Sequence, residues 1–83
     1  MTQLEFSKIW NSTNLTTGEK KLLEYNHFPQ TCSKFNKKLF DLLFVCDDDN
    51  LAKMFVSFPE QVQAIHDFRC GILELKVRGT IES

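Results

Sequence analysis

The stretch from Thr31 to Cys46 constrains the fold of this chain more than any other. Phe35, Leu39, Leu42, Leu43 and Cys46 fall at i, i+4, i+7, i+8 and i+11, the spacing of one face of an α-helix, and Phe40, Phe44 and Val45 widen the stripe. Such a helix must be covered by other elements. The chain has 83 residues with which to do so, read as a single domain over 1–83, and a chain of that size buries about 60 to 65% of its unfolded surface. Eight phenylalanines against one tyrosine and one tryptophan suit an aromatic core, because phenylalanine carries no polar group that needs a partner.

The flanking segments supply the covering helices. Thr2-Gln3-Leu4-Glu5 has the spacing of a capping box, and Phe6, Ile9 and Trp10 follow at helical intervals, predicting a helix over roughly residues 3 to 11, with a strand as the rival reading. Asn11 to Thr17 is a polar loop, and Thr16-Thr17-Gly18-Glu19 repeats the capping pattern ahead of Leu22, Leu23 and Tyr25, giving a second helix to about Asn26. Pro29 restricts Phe28 and separates this helix from the central one. Asp47-Asp48-Asp49 suits the positive N-terminus of a fourth helix holding Leu51, Met54 and Phe55. Pro59 opens a fifth helix, with Val62, Ile65 and Phe68 on its buried side, and Gly71 is placed for a left-handed cap.

Beyond Gly71 the pattern changes. Leu73, Leu75, Val77 and Ile81 share one parity while Glu74, Lys76 and Arg78 share the other, which predicts a half-buried strand over 72–82. The expected fold is therefore mainly α: four to five helices packed around Phe35, Leu39, Leu42, Leu43, Phe55, Val62, Ile65 and Phe68, with one C-terminal β-strand. That strand is expected to pair with the N-terminal segment, across a dimer, or with the sheet edge of another protein.

A formal net charge of −1 withholds the general attraction to phosphate on which non-specific nucleic-acid binding depends. No apolar run approaches the roughly 18 residues of a membrane span, and the N-terminus lacks a signal-peptide pattern, so the expected location is cytoplasmic. Cys32, Cys46 and Cys70 are odd in number and widely spaced, which argues for free thiols over a disulfide framework or zinc site. The aspartate run reads as capping, since a calcium loop needs alternating ligands, a glycine and a distant glutamate. His66 and Cys70, one turn apart with Cys46 as a third donor, and His27 beside Cys32, are weak candidates for a metal and a nucleophile. No phosphate loop, oxyanion loop or paired-carboxylate motif accompanies them, so the expectation is a protein without enzymatic activity or cofactor.

Residues 50–68 resemble prokaryotic helix-turn-helix regulators through Leu51-Ala52, Phe55, Pro59-Glu60 and Val62-x-x-Ile65. The resemblance implies a DNA reader whose second helix offers Gln61 and Gln63 to base edges, in the company of Phe58, Glu60 and Asp67. Val56 departs from the pattern, standing where glycine often adopts a positive φ. Asp49-Asn50-Leu51-Ala52-Lys53 followed by Phe58-Pro59-Glu60-x-Val62-x-Ala64 also resembles segments of small accessory proteins of phages and prophages. That resemblance implies a protein working in the host cytoplasm by binding and blocking a host protein, including a defence enzyme of the kind anti-CRISPR proteins block.

The leading expectation is thus a non-enzymatic inhibitor or adaptor with a host-protein partner, and the alternative is a small transcriptional regulator. Its partner surface is expected on Leu73, Leu75, Lys76, Val77 and Arg78, with Lys34, Lys37 and Lys38, at i, i+3 and i+4, as an electrostatic second contact.

Overall fold

The computed structural model describes residues 1–82, which form six helices and, among the described residues, no strand. Local chemistry starts most of them. α1 (Gln3–Trp10) and α2 (Thr17–His27) each begin in a complete capping box: Thr2 with Glu5 at 2.9 and 3.2 Å, Thr16 with Glu19 at 2.9 and 3.1 Å. The Ser33 hydroxyl accepts from the Asn36 N–H at the start of α3 (Lys34–Val45), and Asp47 accepts from the Asn50 N–H at the start of α4 (Asp48–Phe55). α5 (Pro59–Arg69) has no side-chain cap and opens on proline, whose fixed φ suits the first helical position and whose missing N–H would have had no intrahelical partner there. Phe28 and Phe58, each preceding a proline, share one non-helical geometry, φ/ψ −135°/59° and −132°/60°, and so mark the end of α2 and the start of α5.

The C-terminal strand is not formed. Gly71 does adopt the left-handed conformation, φ +79°, and ends α5 as its position suggests, but the chain turns there and resumes as α6 (Ile72–Glu82). Leu73, Val77 and Ile81 are four residues apart, a spacing that satisfies both even parity and one face of a helix. As a helix the segment turns Leu73 and Thr80 into the core, packs Val77 and Ile81 against it, and satisfies its own backbone. A lone strand leaves its backbone groups needing a partner.

α5 is the central element, making its broadest contact with α2 and further contacts with α4, α6 and α3, while α1 closes against α6. The buried cluster is Ile9, Leu15, Leu22, Leu23, Leu39, Phe40, Leu43, Val62, Ala64, Ile65 and Leu73. Four residues expected in the core, Phe35, Leu42, Phe55 and Phe68, are instead exposed. On α3 the buried arc runs through Leu39, Phe40 and Leu43. The core has taken one side of an apolar helix and left the other outside.

Gly18 lets α2 meet α5 closely: a Cβ there would stand 2.4 Å from the Glu60 carbonyl oxygen, so any side chain forces the helices apart. One residue on, Glu19 is fully buried yet satisfied. Its carboxylate accepts from the Thr16 N–H at 2.9 Å and from Lys76 Nζ at 3.1 Å to each oxygen.

Candidate functional site

The side of α3 turned away from the core carries Phe35, Leu42 and Val45, at i, i+7 and i+10, with 62%, 49% and 80% of their surfaces exposed. This places them on one line along the helix. Phe35 continues toward α5 through a tilted contact with Phe58, ring centroids 6.0 Å apart. At the other end, Leu42, Val45 and Cys46 join Asn50, Lys53 and Met54 of α4 around a groove of about 470 Å³. Lys34 and Lys38 are exposed on the same outer side of α3, and Lys37 is half-buried. Lys38, at i+3 from Phe35, stands in this line between Phe35 and Leu42, and Lys34 lies beside it.

Rings on the opposite flank hold α3 in place. The Tyr25 hydroxyl donates to Asp41, and its ring lies 5.5 Å from Phe40 and 6.0 Å from Phe44. That hydrogen bond, together with burial and the carboxylate's charge, pushes the Tyr25 phenol up to about 12. At the start of α3, burial pushes the buried Cys32 thiol above its ordinary range, the Glu24 charge adds to the effect, and Lys37 opposes it. A thiol held protonated is a poor nucleophile. Burial, with the N-terminal ammonium, lowers the His27 pKa.

The residues singled out on the C-terminal segment divide between two sides of α6. Leu73 is buried, Val77 packs against the core, and Lys76 is engaged by Glu19. Leu75 and Arg78 face outward, and Arg78 pairs with Glu74 at 3.1 Å, one helical turn away. α6 therefore does not gather Leu73, Leu75 and Val77 on one accessible face.

In the segment 50–68, Val56 has φ −60° and ψ −41°, ordinary helical geometry, so the turn charges it no steric penalty. The change of direction falls at Phe58. Gln61 is half-buried, and the exposed Gln63 donates its amide to buried Asp67 at 3.1 Å. Cys70 Sγ lies 3.7 Å from His66 Nε2 at the exposed end of α5. Asp48 and Asp49 occupy the first turn of α4 behind their capping neighbour Asp47, where the helix dipole favours negative charge.

The apolar stripe on α3 placed Leu42 and Val45 inward, and both are exposed, whereas Met54 on α4 is half-buried against the core. A signal was present: the stripe on α3 is wider than one packing face needs. Comparison with protein-family models, curated proteins and solved structures finds no match to this chain. No helix among the described residues is long and apolar enough to cross a membrane.

Proposed function

We propose that this chain is a non-enzymatic protein-binding module that acts by covering a surface of its partner. The observation that carries the reading is the outer face of α3, where Phe35, Leu42 and Val45 stand exposed in one line and run into the groove against Met54. Exposed apolar surface of this kind, rimmed by polar groups, characterises interaction sites. Lys34 beside the row, Lys38 within it and Lys53 in the groove suit an occupant that carries acidic residues among its apolar ones. The occupant is a helical segment of a partner protein, with an apolar face on α3 and carboxylates toward the lysines. The resemblance to phage accessory proteins makes a host protein the partner, with inhibition by occlusion as the outcome.

The test compares a tagged wild-type chain with a Leu42→Glu/Val45→Glu variant in nuclease-treated host lysate, after circular dichroism has shown both to be helical. A protein retained by the wild type and lost by the variant supports this face. Equal retention by both removes it.

The alternative, a DNA regulator using residues 50–68, gains from the ordinary helical geometry of Val56. It predicts duplex binding that falls with salt and weakens in Gln61→Ala. Against it, Gln63 is already held by Asp67, and Glu60 stands on the same helix.

A further inference from the structure

A second concavity, unrelated to the α3 face, lies between α1 and the C-terminal end of α2. It encloses about 260 Å³ and is lined by Phe6, Trp10 and Phe28, with Glu24 and Thr31. The rings are ordered by one another: Phe6 stacks on Phe28 with centroids 5.0 Å apart and planes 5° from parallel, and Trp10 meets Phe6 edge to face at 5.8 Å and 84°. The lining of this corner thus carries aromatic rings in two orientations at right angles. Trp10, one of the residues lining it, keeps 43% of its surface exposed.

Glu24 gives the corner its charge. One carboxylate oxygen lies 3.0 Å from the Thr31 hydroxyl, whose one proton is shared between Glu24 and the Phe28 carbonyl, also at 3.0 Å. Among the described residues no cationic side chain stands within ion-pair distance of Glu24. Three aromatic rings beside a carboxylate that is in no ion pair attract a cation whose own hydration is weak. An alkylated ammonium meets that description, since its methyl groups contact the rings while its charge is felt by the carboxylate. The volume is just below the range of drug-sized ligand sites, which suits a headgroup rather than a whole large ligand.

We propose that the corner formed by Phe6, Trp10 and Phe28, with Glu24 as counter-charge, binds a quaternary ammonium group. Trp10 is the only tryptophan in the chain, so its indole N–H resonance and fluorescence report this site alone. The experiment titrates the full chain with choline at constant ionic strength, and in parallel with the neutral carbon isostere in which a tert-butyl group replaces trimethylammonium. Choline should shift the Trp10 signals saturably and bind about fivefold or more tightly than the isostere. Glu24→Gln, which keeps an acceptor for Thr31, should weaken choline several-fold and leave the isostere unchanged. A short peptide carrying trimethylated lysine, titrated alongside, distinguishes a group presented on a chain from one that arrives free. Equal affinity for choline and isostere, or no saturable response to choline, overturns the proposal.

Discussion

Lys76 Nζ lies 3.1 Å from both carboxylate oxygens of Glu19, a residue 57 positions earlier that has no exposed surface. The two side chains join α6 to the start of α2, and the Thr16 N–H supplies a further hydrogen bond to the same carboxylate. Removing one member of a buried pair leaves the other charged without compensation, while removing both relieves that cost. Lys76→Met should therefore destabilise the fold by about 1 to 3 kcal/mol, less than for a fully enclosed pair because Lys76 still touches solvent. Glu19→Gln/Lys76→Met should cost less than the sum of the single changes. Urea denaturation of the four proteins measures this, and strictly additive costs would show that the pair contributes no coupling.

Gly18 and Gly79 should respond oppositely to alanine. At Gly18 the new methyl would press on the Glu60 backbone, which is not the flexible tip of a side chain, so Gly18→Ala should cost about 1 to 3 kcal/mol. At Gly79, within α6, a Cβ meets nothing within 4 Å, and Gly79→Ala should stabilise by about 0.5 to 1 kcal/mol. A denaturation midpoint for Gly18→Ala at or above that of the wild type would refute the close approach of α2 to α5.

The phenol of Tyr25 is the only one in the chain, so alkaline absorbance follows it without interference from another tyrosine. Its pKa is raised in the folded protein to about 12. The unfolded value is about 10. The folded state thus holds this proton more tightly, and the stability it contributes is complete below the unfolded pKa and is lost as pH rises from there through the folded pKa. Tyr25→Phe should remove this part of the alkaline destabilisation. A tyrosinate midpoint at the ordinary value in the native protein would show that the bond to Asp41 does not persist in solution.

Leu73 and Leu75 provide the sharpest check on α6. Leu73 is 2% exposed and Leu75 is 66% exposed, so Leu73→Ala should cost about 2 to 5 kcal/mol. Leu75→Ala should stay within about 0.5 kcal/mol. A half-buried strand would make the two losses comparable, because both residues would share its inner face.

These two leucines also explain what could be read from the sequence. Thr2, Thr16, Asp47, Pro59 and Gly71 act on backbone groups within a few residues of themselves, and each does in the structure what its position suggests. The tail offered no such local signal. Leu73, Val77 and Ile81 are compatible with two periods, and only the fate of Leu75 separates them. On α3 the difficulty was of another kind: apolar residues on both Leu39 and Leu42 sides make the helix legible but not its rotation, which depends on what α2 and α5 offer it. The outer face of α3 was misread for that reason, and its lysines were seen without the apolar row beside them. The aromatic corner at Trp10 depends on Phe28, which lies in a different element from Phe6, and no spacing rule connects them.

The ion pair between α2 and α6 also sets an order of events during synthesis. Glu19 emerges early, but its counter-charge is 57 residues behind it, a delay of roughly 3 to 11 s at the usual pace of translation. Through that interval α2 can form and cap itself, yet its glutamate cannot be enclosed without leaving a bare charge in the core. Enclosure of Glu19 with its counter-charge therefore waits until α6 has been made, which ties the burial of α2 to a contact distant in sequence.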